Sequence, residues 1–205
     1  MSGHRSALVS ALAIGLRVAT LDAAPAKQVD TPRLAVILND YAGAQPDVLA
    51  RAKSHVTVIY SVAGVEVEWI DRDDPRLAER DFLNSVVTVS LYSDEMANRA
   101  ADPEAVVGKA APGGRTAKVM YDRIAGIGRG RSADSSFLLG NVIAHEIGHL
   151  VLPGRAHSPV GLMVPQMTIS VAISRPLFFT LQQSKIIRSA LVRLRSADNA
   201  PQHVN

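Results

Sequence analysis

The chain predicts an α+β fold: a twisted mixed sheet with helices packed on it, one helix near residue 145 marked by polar residues and another close to the C-terminal end. Three patterns lead to this reading. Residues 34 to 70 run as strand, helix, strand; two further strand-length apolar segments follow between 86 and 120; and two later stretches, 138–150 and 186–194, carry apolar residues at helical spacing.

Leu34 to Leu38 is an apolar run of strand length closed by Asn39-Asp40, which predicts a buried strand. From Asp47 to Ala63 apolar residues recur at Val48, Ala52, Val56, Ile59, Tyr60 and Ala63, the stripe of one helix face, and Val65 to Ile70 then alternates with a period of two. Val86 to Leu91 gives another strand. The stretch around Ala110 to Met120, interrupted by Pro112-Gly113-Gly114, predicts an irregular hairpin or edge strand. Gly126, Gly128 and Gly130 lack the spacing and the following lysine of a phosphate-binding loop, so this stretch is expected to be a flexible loop. Asp134, Ser135 and Ser136 are candidate caps for a helix whose Leu138, Val142, Ile143, Ile147 and Leu150 face the core. Thr180 with Gln183 fits a capping box ahead of a last helix striped by Ile186, Ile187, Ala190, Leu191 and Leu194. That helix is expected to pack on the domain, the competing reading being a basic helix lying on a membrane surface.

Composition bounds the answer further. With 205 residues and 47% hydrophobic content the chain suits one well-buried core. Residues 1–26 read as a signal peptide: Arg5 precedes the apolar run Ala7 to Leu16, and Ala24-Pro25-Ala26 offers small residues for cleavage. Residues 27–196 then form the domain and 197–205 a flexible tail. The run is too short for a stable membrane span, and export implies a secreted or periplasmic location. Arg17 and Asp22 support the alternative, an amphipathic N-terminal helix on a cytoplasmic protein. No cysteine is present, so no disulfide holds the fold. The formal charge is +3, and removal of residues 1–26 leaves 20 basic against 18 acidic groups, too small an excess to argue for nucleic acid.

The most informative stretch is His145-Glu146-Ile147-Gly148-His149. On a helix His145 and His149 lie one turn apart on the same face, so both rings can reach one ion, while Glu146 points toward its open side. A shuffled chain holding 6 His would show this pattern with a probability of only about 0.005. Pro153 and Gly154 then stop the helix and let the chain turn back, so that His157 can complete a three-histidine set with the fourth position left to water.

The stretch resembles the metzincin clan of zinc metallopeptidases, whose motif continues through a glycine to a third histidine and a methionine-bearing turn. Gly154 stands three residues before His157 as the clan's glycine does, and His157-Ser158 followed by Leu162-Met163-Val164-Pro165 is similar to the matrixin version. The departure is that Leu150 to Pro153 places four residues between His149 and Gly154, where the clan has two, so either the helix runs on by half a turn or the loop bulges. The resemblance implies a metzincin-like catalytic domain with an active-site helix, a Zn2+ cofactor on His145, His149 and His157, Met163 as the apolar floor of a Met-turn, and a peptide or protein substrate. Pro165 stands where some relatives carry a metal-binding tyrosine, so no tyrosine ligand is expected. The clan's substrates pair with an edge strand above the metal, which points to the segment Gly108 to Met120; Arg155, Ser158 and Tyr121 read as loop or surface residues.

Zinc on three neutral imidazoles keeps its double charge and acidifies bound water. Glu146, held out of the ligand set, is the expected general base in hydrolysis of a peptide bond. Two competing readings are a zinc hydrolase acting on a non-protein amide or a cell-wall peptide, and a non-catalytic metal-binding domain.

Overall fold

In the computed structural model, residues 31–198 are described apart from 80–81, 83–84, 112–113 and 155. The expected signal peptide and residues 199–205 of the expected tail lie outside the described residues. The chain divides at residue 30, and every described residue belongs to the second unit.

A five-stranded sheet organises that unit. Strands β1 (Arg33–Asp40), β2 (Glu66–Ile70), β3 (Val87–Tyr92), β4 (Gly108–Ala110) and β5 (Thr116–Met120) lie in the order β2-β1-β3-β5-β4. The first four are parallel, and β4 alone runs antiparallel, its Gly108 opposite Val119 on β5. The hairpin expected between 110 and 120 is therefore present, with β4 on the rim of a mixed sheet.

The side-chain period of two assigns each face. Leu34, Val36, Val87, Val89, Leu91 and Val119 turn to the main core, whereas Ala35, Ile70 and Val86 meet Leu77 and Phe82 on the opposite side. The main core is closed by helices α1 (Pro46–Val62) and, in chain order, α2 (Asp94–Arg99), α3 (Tyr121–Gly130), α4 (Ser136–Val151), α5 (Ile169–Ala172) and α6 (Leu181–Asp198). On α1, Val48, Ala52, Val56, Ile59 and Tyr60 are buried, the stripe its spacing predicts. Each of the buried valines and the isoleucine contributes roughly 1.5–3 kcal/mol by leaving water.

Helix α4 is the centre of the unit, and α1 packs along it. The two backbones approach closely at Gly140, where a β-carbon would stand 2.9 Å from the His55 Cβ and 3.1 Å from the Ala52 carbonyl oxygen. The helix starts as its sequence suggests: the Asp134 carboxylate accepts the Ser136 N–H at 2.8 Å. It stops at Val151, because Leu152 precedes Pro153 and adopts extended backbone.

Three expectations need correction. Residues 121–130 are helical rather than a flexible loop. Burial of Tyr121, Ile124, Ala125 and Gly128 outweighs the poor helix propensity of three glycines, and at Gly128 a β-carbon would strike Ser135 Cβ at 2.9 Å. Tyr121 is buried rather than superficial, its hydroxyl accepting the Gln45 N–H at 3.1 Å. The last helix also runs to Asp198, past the expected boundary at 196. The short α2, capped by Ser93 through the Met96 N–H at 3.3 Å, has too few apolar residues to announce itself by period.

Candidate metal centre and cleft

His145, Glu146 and His149 are fixed by α4, and His157 by the loop that follows it. One nitrogen from each of the three imidazoles lies within 4.8 Å of the others. Ring centroids are 4.8 Å apart for His145 and His149, 4.7 Å for His149 and His157, and 5.6 Å for His145 and His157. The two Nε2 atoms of His145 and His149 are 3.1 Å apart. Two nitrogens sharing a tetrahedral zinc at about 2.0–2.1 Å stand roughly 3.4 Å apart, so this spacing fits the ion.

The tautomer of His145 also fits. Its Nδ1 lies 2.9 Å from the Leu162 carbonyl oxygen, which can only accept, so Nδ1 carries the proton and Nε2 turns a lone pair toward the other rings. Burial lowers the His145 pKa, and burial together with the neighbouring His145 and His157 rings lowers that of His149 to about 4. Neutral rings with converging lone pairs are what a dication needs.

The longer spacing before His157 is absorbed in the loop. With the helix over at Val151, Leu152 and Ala156 bury themselves in the core, and Gly154 turns the chain at φ +71°. The chain comes back held by the Ser158 N–H, which donates to the Met163 carbonyl at 2.8 Å.

Glu146 faces β4. It is 6% exposed, and burial pushes its carboxyl up to about 7. A β-carbon on Gly108 would collide with its carboxyl oxygen and stand 2.8 Å from Cδ and from Cγ, so the carboxyl occupies the space that any side chain at 108 would take. Met163 is fully buried, and its Sδ stands 2.5 Å from where a β-carbon on Gly148 would be. The thioether therefore lies against α4 on the turn that joins the two helix-borne imidazoles.

All four polar residues line a cavity of about 1000 Å³. Its walls come from β4 and its approach, from apolar residues including Ile127, Leu138 and Val142, and from Val164 to Met167 after the turn. A second cavity of about 510 Å³, lined by Arg51, Tyr121 and Asp134, shares no residue with it. Arg51 there is engaged by Asp47 and Asp134, both at 3.0 Å.

Sequence reasoning passed over three contributors. Asn141, one turn before His145, is fully buried; its Nδ2 donates to the Ala172 and Arg175 carbonyls at 2.8 Å each, and its Oδ1 accepts the Leu177 N–H at 2.7 Å. The signal was an amide inside an otherwise apolar helix. Gly108 and Gly148 make room for Glu146 and Met163, and such contacts leave no trace in local periodicity.

No family model matches the sequence, and no curated protein matches it. Solved structures do resemble it, among them the following two. The archaemetzincin of Methanopyrus kandleri, known from a crystal structure at 1.5 Å, is 19% identical over 78% of this chain and 97% of its own, with a TM-score of 0.49. A zinc-dependent peptidase from Methanocorpusculum labreanum (strain Z) is 15% identical over 75% of this chain and 99% of its own, with a TM-score of 0.51. The likeness is one of fold: the chain shares the α+β architecture of that zinc-dependent peptidase.

Proposed function

We propose that the chain is a zinc-dependent metallopeptidase of the metzincin type, matrixin-like in its third-histidine and Met-turn stretch. The observation that carries the reading is a set of three imidazoles from His145, His149 and His157, beside a buried carboxylate that stays out of the set. A structural metal site has no use for such a carboxylate, which weighs against a non-catalytic domain. The fold shared with a zinc-dependent peptidase supports the same reading.

Zinc, when bound, acidifies the water it holds and polarises the scissile carbonyl. The chain supplies the rest. Glu146, at the cavity wall, takes the proton that the attacking water gives up and passes it to the departing amine nitrogen. Its near-neutral pKa suits both halves of that task. The outward edge of β4 offers backbone N–H and C=O groups to an extended peptide, and the apolar cavity accepts a side chain. No described helix is long and apolar enough to cross a membrane.

The test is metal analysis of the purified chain together with digestion of a mixed peptide library and of cell-wall fragments, each with and without a chelator. A single zinc per chain and chelator-sensitive peptide cleavage are expected. Failure to take up zinc, or cleavage indifferent to chelation, overturns the reading. Turnover confined to the cell-wall fragments would transfer the site to that other class of amide.

A further inference from the structure

We propose that Gln183, on the C-terminal helix, is a positioning residue for the third imidazole: its side-chain amide ties the two residues that flank His157 and so holds that ring at the other two. The identity of the metal rests on the metallopeptidase reading; the tie itself rests on geometry.

His157 has no helix to hold it. Each loop residue fixed in one backbone conformation costs about 1–2 kcal/mol of entropy, so a loop that returns a ligand to its partners must be fastened by something. The Gln183 Nε2 donates to the Ala156 carbonyl oxygen and to the Ser158 hydroxyl oxygen, both at 3.0 Å. These residues stand immediately before and after His157. The Ser158 hydroxyl sends its own proton to the Val160 carbonyl at 2.7 Å, so it can only accept from Gln183. At the other end of the amide, Oε1 accepts the Thr180 N–H at 3.0 Å, and the Gln183 N–H donates to the Thr180 hydroxyl at 3.2 Å.

This circuit fixes which amide atom is oxygen and which is nitrogen. Turned over, the amide would set oxygen against the Ala156 carbonyl and NH₂ against the Thr180 N–H. Gln183 is 7% exposed and Ala156 8%, so water is a poor substitute for either partner. The Thr180–Gln183 capping box thus has two functions. It closes the start of α6, for which glutamate would serve as well as glutamine, and it fastens the His157 loop, for which only an amide has the hydrogens.

That difference between glutamine and glutamate supplies the experiment. Zinc affinity is measured on the full chain by competition with a chromogenic chelator for wild type, Gln183→Glu, Gln183→Met and Thr180→Ala. Amide hydrogen exchange at Ser158 is followed in the metal-free chain. Gln183→Glu keeps the cap acceptor and loses the tie; Gln183→Met loses the tie without adding charge; Thr180→Ala loses the hydroxyl and keeps the tie. Zinc is expected to bind roughly 10- to 100-fold more weakly in both Gln183 variants, the loss usual when a partner that orients a ligand is removed. Affinity should be unchanged within error in Thr180→Ala. Ser158 exchange should accelerate in the Gln183 variants alone, and Gln183→Glu should add nothing once His157→Ala is present. Wild-type zinc affinity and wild-type exchange in the Gln183 variants would overturn the inference. If wild type takes no zinc, the metallopeptidase reading fails, while the exchange measurement still decides whether Gln183 fastens the loop.

Discussion

Gly108 on the rim strand and Glu146 on the central helix occupy adjoining space, with the residue 108 backbone so close to the carboxyl that a β-carbon would stand 2.8 Å from its Cδ. The position of the proposed base is thus set by the absence of a side chain on another element. Gly108→Ala should displace the carboxyl or bend β4 and lower kcat/KM by about 100-fold, the scale of a 1 Å misplacement, with zinc content unchanged. Wild-type kcat/KM would show that this contact does not constrain the carboxyl.

Glu146→Gln preserves shape and removes the base. Peptide hydrolysis should fall by roughly 100- to 10,000-fold, the usual contribution of a positioned acid-base group. Zinc stoichiometry should stay at the wild-type value, because Glu146 is not among the three converging donors. Retained turnover would assign the proton transfer to another group.

Asn141→Ala leaves the Leu177 N–H and the Ala172 and Arg175 carbonyls without the partner they now share. A loss of about 3 kcal/mol is expected in urea unfolding of the metal-free chain, since stranded buried polar groups cost about 1–3 kcal/mol each. A change below 1 kcal/mol would mean that water takes over these bonds.

His55 stacks on Phe137 at 4.1 Å and lies 3.4 Å from the Ser136 hydroxyl. Burial lowers its pKa, opposed by Asp134 and assisted by Arg51. The unfolded chain therefore binds more protons in the window below pH 6.5, and stability rises with pH through that window, being lost as the pH falls from 6.5 toward the lowered folded value. His145 and His149 act in the same direction. His55→Gln should flatten the slope of Tm between about pH 5 and 7 in the metal-free chain without abolishing it. Glu146, whose carboxyl burial pushes up to about 7, acts the opposite way over the same window, and an unchanged slope would show that His55 does not contribute to it.

Much of the sheet and of α1 is legible in the sequence. Leu34 to Leu38 is an unbroken apolar run because Leu34 and Val36 meet the main core while Ala35 and Ile37 meet the second cluster, and Val48, Ala52, Val56 and Ile59 fall on one helical stripe. The spacing of His145 and His149 places them on one helix face for the same reason. Residues 121–130 resist such reading, since three glycines speak against a helix that tertiary burial nonetheless makes. The return of His157 is legible in Pro153 and Gly154, but the contacts that Gln183 makes beside it and that Gly108 makes with Glu146 are hidden, because they span long separations that no local pattern records. The capping box can be read as a helix start, but its second task depends on what the folded chain places beside it.

Only three residues of β4 are laddered to β5, and alternate ones turn their backbone groups outward. So brief a border gives a neighbouring molecule little to zip against, a protection from sheet-to-sheet aggregation. The same brevity limits the grip of main-chain pairing on any guest, at about 1 kcal/mol per bond. On the proposed reading, discrimination between guests then comes from which side group enters the greasy hollow beneath that border.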